Sequence, residues 1–292
     1  MSRSHEKSGA EFALDSDTLL HRPSVFRPDV MKGHRVLVTG GGTGLGRAAA
    51  LLYGRLGAKV AICGRRIEKL EETNALALEI TGQPIFMRAL SIRDPEAVER
   101  FMNEVHAELG GLDTQINNAG GQFPQDAIDF TRKGWLAVID TNLNGTWWMM
   151  QEAAKLWRAT KQPGNIINVV ATVDRGCPQT AHTGAARAGV IALSKALAVE
   201  WAPHKIRVNC LAPGAVQTEG FRMYPSKGLD TFRESNPMKA VGSPFDIAEG
   251  FVYLSSPAAS FITGTLMVID GGHAVWGDAW PAGRPDYFAP HI

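Results

Sequence analysis

The sequence predicts an α/β protein built on a Rossmann-type, doubly wound parallel sheet of about seven strands, with helices on both faces. Short apolar runs alternate with segments of helical periodicity, which is the pattern of parallel strands joined by right-handed crossovers. A glycine-rich turn directly follows the first apolar run. The chain has 292 residues, and open α/β sheets of that size fold as one domain. We expect an N-terminal arm at residues 1–32, a single domain at 33–275 and a tail at 276–292.

Each predicted strand is a short apolar run, as expected for a strand buried on both faces. Asp94 and Pro95 suit the first turn of a helix, because Asp caps the free amides and Pro lacks one. Gly110 and Gly111 suit its end. The strands are predicted at 35–40, 58–64, 85–90, 112–118, 165–171, 206–214 and 266–270. The first helix is predicted from the glycine-rich turn to about residue 56, and the second from the end of the second strand to about residue 80. Four further helices are predicted at 95–109, 131–160, 180–203 and 244–256.

Composition narrows the class of protein. A net charge of +1 gives no reason to expect nucleic acid or an anionic membrane as a partner. No run of about 18 apolar residues is present, so we expect no membrane span. The three cysteines, Cys63, Cys177 and Cys210, lack the spacing of a zinc site or a disulfide framework, and no metal is expected. Reduced thiols and a polar start without a signal segment favour a cytoplasmic protein.

A dinucleotide site is predicted at the segment TGGGTGLG, residues 39–46. Gly40, Gly44 and Gly46 stand between a strand and a helix, where glycine allows the backbone to approach a pyrophosphate at the helix N-terminus. The second strand ends in Arg65 and Arg66, where an NAD site often has an acid. Arginine pairs with a 2′-phosphate, so NADPH is favoured over NADH. The alternative is that Arg65 and Arg66 bind no cofactor and are simply solvated at the start of a helix.

Four segments together resemble the short-chain dehydrogenase/reductase family over about residues 32–275: the glycine turn, NNAG at 117–120, DTNLNG around Asn142, and PGAVQT at 213–218. One departure is Ser91, which stands where many members have an Asp facing the adenine. The resemblance and the glycine and arginine arguments imply these cofactor-binding residues: Gly40, Gly42, Thr43, Gly44, Leu45, Gly46, Arg65, Arg66, Ser91, Ile92, Asn118, Ala119, Gly120, Arg187, Pro213, Gly214, Val216 and Thr218.

The helix that begins AHTGAARAG lacks the catalytic pair of that family. Thr183 stands in place of its tyrosine and Arg187 in place of its lysine, and Ala171 or Thr172 falls at its serine position. A threonine hydroxyl is a poor proton donor at neutral pH, and arginine stays charged, so reduction of a ketone by the family's usual route is disfavoured. Reduction of a C=C bond conjugated to a thioester mainly needs donors aimed at an enolate oxygen.

Five further segments resemble the peroxisomal trans-2-enoyl-CoA reductases, and the related 2,4-dienoyl-CoA reductases also lack the tyrosine in that helix. The segments are NNAGGQF, KGWLAVIDTNLNGT, AHTGAARAGV, LAVEW and SPAASFITG. The resemblance implies NADPH-dependent saturation of a 2-enoyl-CoA. Candidate catalytic residues are Asn142, Thr172, Thr183, Arg187 and, on a predicted lid, Tyr224.

Other residues are weaker candidates. His182 is an alternative proton donor, although a lone histidine is more often structural. Gln122 and Phe123 are expected to border the acyl pocket, and Arg222, Lys227 and Arg233 to bind CoA phosphates. The segment from Trp147 to Met150 is apolar around the whole helix, and the family pairs such helices across subunits, so we expect a homotetramer, or at least a dimer.

Two other functions stay open at this point. One is a carbonyl reductase or alcohol dehydrogenase with an atypical acid such as Tyr224 or His182. The other is a catalytically silent NADP-binding protein that has lost the family's catalytic residues.

Overall fold

In the computed structural model, which describes residues 14–224, 231–277 and 285–288, seven strands form one parallel sheet. Its order is β3-β2-β1-β4-β5-β6-β7, so the chain reverses direction across the sheet between β3 and β4. The carboxyl ends of β1 and β4 therefore frame the point where such sheets bind ligands. The strands are β1 Arg35–Thr39, β2 Lys59–Gly64, β3 Phe86–Ala89, β4 Thr114–Asn117, β5 Gly164–Val169, β6 Ile206–Pro213 and β7 Leu266–Ile269.

Helices cover both faces of this sheet, as the alternating pattern predicts. Val36 and Val38 of β1 pack into an apolar cluster on one face, and Leu37 between them packs into a second cluster on the other. Alternation with period two in a strand buried on both sides produces this division. The α-helices are α1 Ser16–His21, α2 Gly44–Arg55, α3 Ile67–Thr81, α4 Pro95–Leu109, α5 Arg132–Ile139, α6 Gly145–Thr160, α7 Ala181–Glu200 and α8 Pro244–Ser255.

The predicted boundaries of α4 are confirmed. The Asp94 carboxylate accepts a hydrogen bond from the Ala97 amide at 3.0 Å, and Gly110 ends the helix with a φ of 74°. The apolar positions at helical spacing are all buried: Val98, Phe101, Met102, Val105 and Leu109. Local sequence is sufficient to predict this helix because its N-cap residue, its apolar face and its terminating glycine all lie within one segment.

The single helix predicted at 131–160 is wrong in one respect. A π-helical turn at Asp140–Asn144 separates α5 from α6. Within this turn, Asn142 bonds through its side chain to Gly121, which follows β4. The extra residue in a π turn shifts the helix register, and this depends on a partner distant in sequence, so periodicity within the segment does not show it.

The described part of the N-terminal arm packs on the domain. Leu19 and Met31 are buried in the cluster that contains Val36 and Val38. Arg22 anchors the arm, because its guanidinium donates to the Ser243 hydroxyl at 2.6 Å and its carbonyl accepts from Arg55 at 2.6 Å. Among the described residues, no helix is long and apolar enough to cross a membrane.

The packing of the arm predicts a contrast between two substitutions in it. Met31→Ala should lower the free energy of unfolding by about 2–5 kcal/mol, since Met31 is 2% exposed and its loss leaves a cavity. Val25→Ala should change it by less than about 0.5 kcal/mol, since Val25 is 84% exposed. Urea unfolding followed by circular dichroism measures both. Equal effects of the two variants would show that the arm does not dock as described.

Candidate active site

A cleft of about 290 Å³ opens at the carboxyl edge of the sheet, beside the ends of β1, β2, β3 and β4. Most of the residues predicted to bind a cofactor line it, although they come from five separate segments of the chain. They are Gly40, Gly42, Thr43, Gly44, Leu45, Arg65, Arg66, Ser91, Ile92, Asn118, Ala119, Gly120 and Thr218.

The glycine-rich turn forms the floor of the cleft against β4. Gly40 has a φ of 69°, and a Cβ there would lie 2.9 Å from the Asn118 side-chain nitrogen. That nitrogen donates to the Thr39 carbonyl at 2.9 Å, and the Thr39 hydroxyl accepts from the Ala119 amide at 2.9 Å. Gly46 packs behind the turn, where a Cβ would collide with the Gly40 backbone. Only glycine permits this approach, so the turn keeps open the N-terminus of α2.

One wall of the cleft, beside this turn, is strongly basic. Arg65 and Arg66 are exposed, and neither forms a salt bridge with a described residue. Lys69 and Arg93 also line the cleft, and the sequence analysis missed both. Lys69 comes one helical turn after Arg66, and Arg93 follows Ser91 in the segment after β3. Because both residues come shortly after predicted strands, their positions in the sequence could have indicated that they lie at this edge of the sheet. The excess positive charge suits an anionic ligand.

Asn142 and Arg187 lie together beside Gly120. The Asn142 amide donates to the Gly121 carbonyl at 2.9 Å and accepts from the Gly121 amide at 3.0 Å. Arg187 is 7% exposed, and its guanidinium donates to the Asn142 carbonyl at 3.4 Å. Burial lowers the pKa of Arg187 to about 10, so it stays charged at neutral pH. No described carboxylate pairs with it, so its positive charge is not neutralised by a described acidic side chain.

Thr183 lies one helical turn before Arg187 on α7 and is also buried. Its backbone amide donates to Nδ1 of His182 at 2.7 Å. Burial lowers the pKa of His182, and the nearby carbonyls of Thr180 and Phe123 oppose this shift. Because the imidazole is neutral at neutral pH, the geometry does not favour His182 as a proton donor.

Tyr224 approaches the site from a distant part of the chain. The Gln122 side-chain amide donates to the Tyr224 phenol oxygen, and the Tyr224 ring packs edge-on against Phe232 with centroids 5.3 Å apart. Burial raises the pKa of Tyr224, and the nearby Cys177 adds to the shift, whereas the bond from Gln122 opposes it. The phenol therefore keeps its proton throughout the neutral range, and its own hydrogen stays free for another acceptor.

Several predicted residues lie outside the cleft itself. Pro213 ends β6, and Gly214 is in close contact with Asp270. Val216 is buried and pairs with Gly242. Thr172 is half-buried in the loop after β5. Gly46 and Arg187 adjoin the cleft from behind the turn and from α7.

The residues proposed for CoA phosphates are only partly placed. Arg222 and Arg233 are exposed on the segments that flank Tyr224 and Phe232. Lys227 lies outside the described residues. Among the described residues, no group of three or more His, Cys, Asp or Glu side chains is arranged to hold a metal.

The sequence is similar to reductases of unsaturated acyl-CoA. The family described as enoyl-(acyl carrier protein) reductase matches residues 40–274. A "probable 2,4-dienoyl-CoA reductase" of Bacillus subtilis is 37% identical over 86% of this chain and 100% of its own length. The peroxisomal 2,4-dienoyl-CoA reductase of Rattus norvegicus is 34% identical over 88% of this chain and 89% of its own.

Solved structures show the same architecture. A citronellol catabolism dehydrogenase of Pseudomonas aeruginosa superposes with a TM-score of 0.77 and 36% identity, covering 86% of this chain and 99% of that one. A short chain dehydrogenase of Bacillus anthracis gives a TM-score of 0.75 and 38% identity, covering 83% of this chain and 97% of that one.

The burial of the cysteines around this site predicts selective labelling. Burial raises the pKa of Cys63 to about 12 and of Cys210 to about 11, so both thiols stay protonated and shielded. Cys177, near Tyr224, is half-buried, and burial raises its pKa as well. At pH 8, DTNB should label Cys177 alone, at a rate that rises with pH up to its pKa, because only the thiolate reacts. Cys177→Ser should abolish native-state labelling, and fast labelling of a second thiol would contradict the geometry.

Proposed function

Since the chain belongs to the short-chain dehydrogenase/reductase family, we propose that it is an NADPH-dependent reductase that saturates the C=C bond of a trans-2-enoyl-CoA. The observation that carries this proposal is the composition of the site on α7. A buried cation, Arg187, lies beside Asn142 with no carboxylate partner among the described residues, and Thr183 stands one turn earlier. This arrangement provides positive potential for a developing oxyanion without a tyrosine–lysine pair.

The residues present fit a nicotinamide dinucleotide. The turn at Gly40 leaves space that a Cβ would fill, and α2 begins there with no acidic residue in its first turn. Arg65 and Arg66 supply cations just after β2, where an NAD site often has an acid, which favours a 2′-phosphate and hence NADPH. When bound, NADPH supplies the hydride.

The chain's own residues have separate tasks in this proposal. Arg187 stabilises the negative charge that develops on the thioester oxygen, since its guanidinium is charged and largely excluded from water. Tyr224 is the proton donor, because its phenol is protonated and Gln122 orients its oxygen. Asn142 holds the Gly121 backbone and so fixes the wall against which Arg187 packs. Thr172 remains a candidate donor to the enolate oxygen.

The substrate assignment rests partly on the relatives, two of which are named for 2,4-dienoyl-CoA. Arg222 and Arg233 are exposed near Tyr224 and are our candidates to bind the CoA phosphates. Phe123 and Phe130 pack with ring centroids 5.8 Å apart next to Gln122 and are suited to an acyl chain.

We also propose that the protein forms a homotetramer. This proposal rests on the resemblance to a family that pairs long helices across subunits, together with large apolar side chains that stay exposed on several elements of the described chain. They include Ile128, Leu136, Val199, Phe261 and Val275. A cytoplasmic location belongs to the same proposal and is supported by the three free thiols.

The basic wall predicts how the cofactor is selected. In an Arg65→Ala/Arg66→Ala double variant, the Kd for NADPH should rise about 10- to 100-fold through loss of charge-assisted hydrogen bonds, whereas the Kd for NADH should barely change. Arg158→Ala, an exposed arginine at the end of α6, is the control. Cofactor fluorescence titration measures all three. If both Kd values rise equally, the arginines do not read the 2′-phosphate.

The proposed reaction is tested with NADPH and crotonyl-CoA or longer 2-enoyl-CoAs. We expect loss of nicotinamide absorbance and a saturated thioester product. Tyr224→Phe should lower kcat about 100-fold or more if its phenol delivers the proton. Tyr253→Phe on α8, outside the cleft, is the matched control and should retain activity.

Two results would overturn the proposed reaction. Oxidation of NADPH with ketones but not with enoyl-CoA would assign a carbonyl reductase. Tight NADPH binding without turnover of either class would assign a silent NADP-binding protein.

A further inference from the structure

The turn that follows β7, residues 270–274, has no part in the proposed reaction, but several contacts fix its conformation. Both oxygens of the Asp270 carboxylate accept hydrogen bonds from backbone amides, at 2.8 Å from Gly272 and at 2.7 Å from Ala274. Gly271 and Gly272 have φ angles of 65° and 88°, which glycine adopts without strain. The turn therefore holds the residue between them and Ala274, which is His273, in a defined place.

This turn lies against a second segment, residues 232–240. A Cβ on Gly272 would come within 2.7 Å of the Pro237 ring, so the contact requires glycine. Asn236 is 3% exposed, and its side-chain amide donates to two carbonyls of its own segment, at 2.8 Å and 3.3 Å. The second segment is thus folded on itself and packed closely on the turn after β7.

His273 links the turn to that segment through its side chain. Its Nδ1 lies 2.6 Å from the Ser235 carbonyl oxygen. Because a carbonyl oxygen can only accept, Nδ1 carries the hydrogen and donates it. The Ser235 hydroxyl in turn donates to the Phe232 carbonyl at 2.8 Å. The imidazole therefore holds the backbone that carries Phe232.

Phe232 connects these contacts with the proposed reaction. Its ring packs edge-on against the ring of Tyr224, with centroids 5.3 Å apart, and lies 4.9 Å from the ring of Phe221. The Gln122 amide donates to the phenol oxygen of the same tyrosine. The position of Tyr224 thus depends on one contact at its ring and one at its oxygen, and the first of these comes from the segment that His273 holds.

We propose that His273 is a positioning residue for Tyr224 and acts through Ser235 and Phe232. Without the hydrogen bond from Nδ1, the segment of Phe232 loses its side-chain link to the turn after β7, and the phenol is held less firmly beside Gln122. A displacement of about 1 Å in a reacting group can cost about 100-fold in rate. The inference rests on the proposed role of Tyr224 as the proton donor.

Two substitutions of His273 separate this role from a general loss of packing. In His273→Asn, the side-chain amide nitrogen takes the place of Nδ1 and keeps a donor for Ser235, whereas His273→Leu has none. With NADPH and crotonyl-CoA, His273→Leu should lower kcat about 10- to 100-fold, and His273→Asn should stay within about threefold of the wild type. The Kd for NADPH should be unchanged in both. An equal loss of kcat in the two variants, or a raised Kd, would overturn the inference.

The dependence on Tyr224 is tested by a double variant. Tyr224→Phe/His273→Leu should be no slower than Tyr224→Phe alone, because His273 acts only through the phenol. Arg175→Ala is the control, since this exposed arginine donates to the backbone carbonyl of His273 at 3.4 Å and leaves Nδ1 untouched. It should keep the wild-type kcat. Additive losses in the double variant, or a loss in Arg175→Ala equal to that in His273→Leu, would contradict the proposal.

Cys177 reports on the same contacts without any turnover, because it is half-buried and lies close to Tyr224. At pH 8, DTNB should label Cys177 about threefold or more faster in His273→Leu than in the wild type, since the protein opens locally where Phe232 is released. His273→Asn should be labelled at the wild-type rate. Equal rates in all three proteins would overturn the inference. A wild-type protein without enoyl-CoA turnover would overturn the proposed reaction, and the labelling rates would then decide the link between His273 and Tyr224 on their own.

Discussion

The close approach of the glycine-rich turn to β4 is the constraint on which the rest of the site depends. Asn118 donates to the Thr39 carbonyl and Ala119 to the Thr39 hydroxyl, so the ends of β1 and β4 are held together by side chains as well as by the sheet. A Cβ on Gly40 or Gly46 would enter this contact. The contact sets where α2 begins and where the segment after β4 leaves the sheet, and both of these features line the cleft.

From this edge, a chain of contacts extends to the buried cation. Gly121 follows β4, and both its N–H and its carbonyl form hydrogen bonds with the side chain of Asn142. The π turn places Asn142 in the interior. The Asn142 carbonyl then accepts from Arg187 on α7. Each step is a backbone or amide contact in the buried interior, so the position of the Arg187 charge follows from the geometry of the sheet. Asn142 thus positions the Gly121 backbone and the Arg187 guanidinium without supplying a proton itself.

The site separates two kinds of positive charge. Arg65, Arg66 and Arg93 are exposed and line the cleft, where they suit a solvated phosphate. Arg187 is almost fully buried, where the low dielectric strengthens its field on any charge that forms nearby. On α7, the guanidinium of Arg187 offers only hydrogen-bond donors, whereas the hydroxyl of Thr183 can both donate and accept. Tyr224 keeps its proton, and the hydrogen bond from Gln122 leaves that proton available to another acceptor.

Local sequence patterns were enough to predict the order of strands and helices, the α4 boundaries, the glycine turn and the basic end of β2, and the resemblance showed that Thr183 and Arg187 replace a tyrosine and a lysine. All of these are local, because caps, periodicity and turn residues act within one segment. Four features required the folded chain: the π turn at Asn142, the packing of Met31, the aromatic contacts of His182 with Phe123 and Phe130, and the contact of Tyr224 with Gln122. Those features depend on contacts between distant segments, 102 residues apart for Tyr224 and Gln122, which no local pattern encodes.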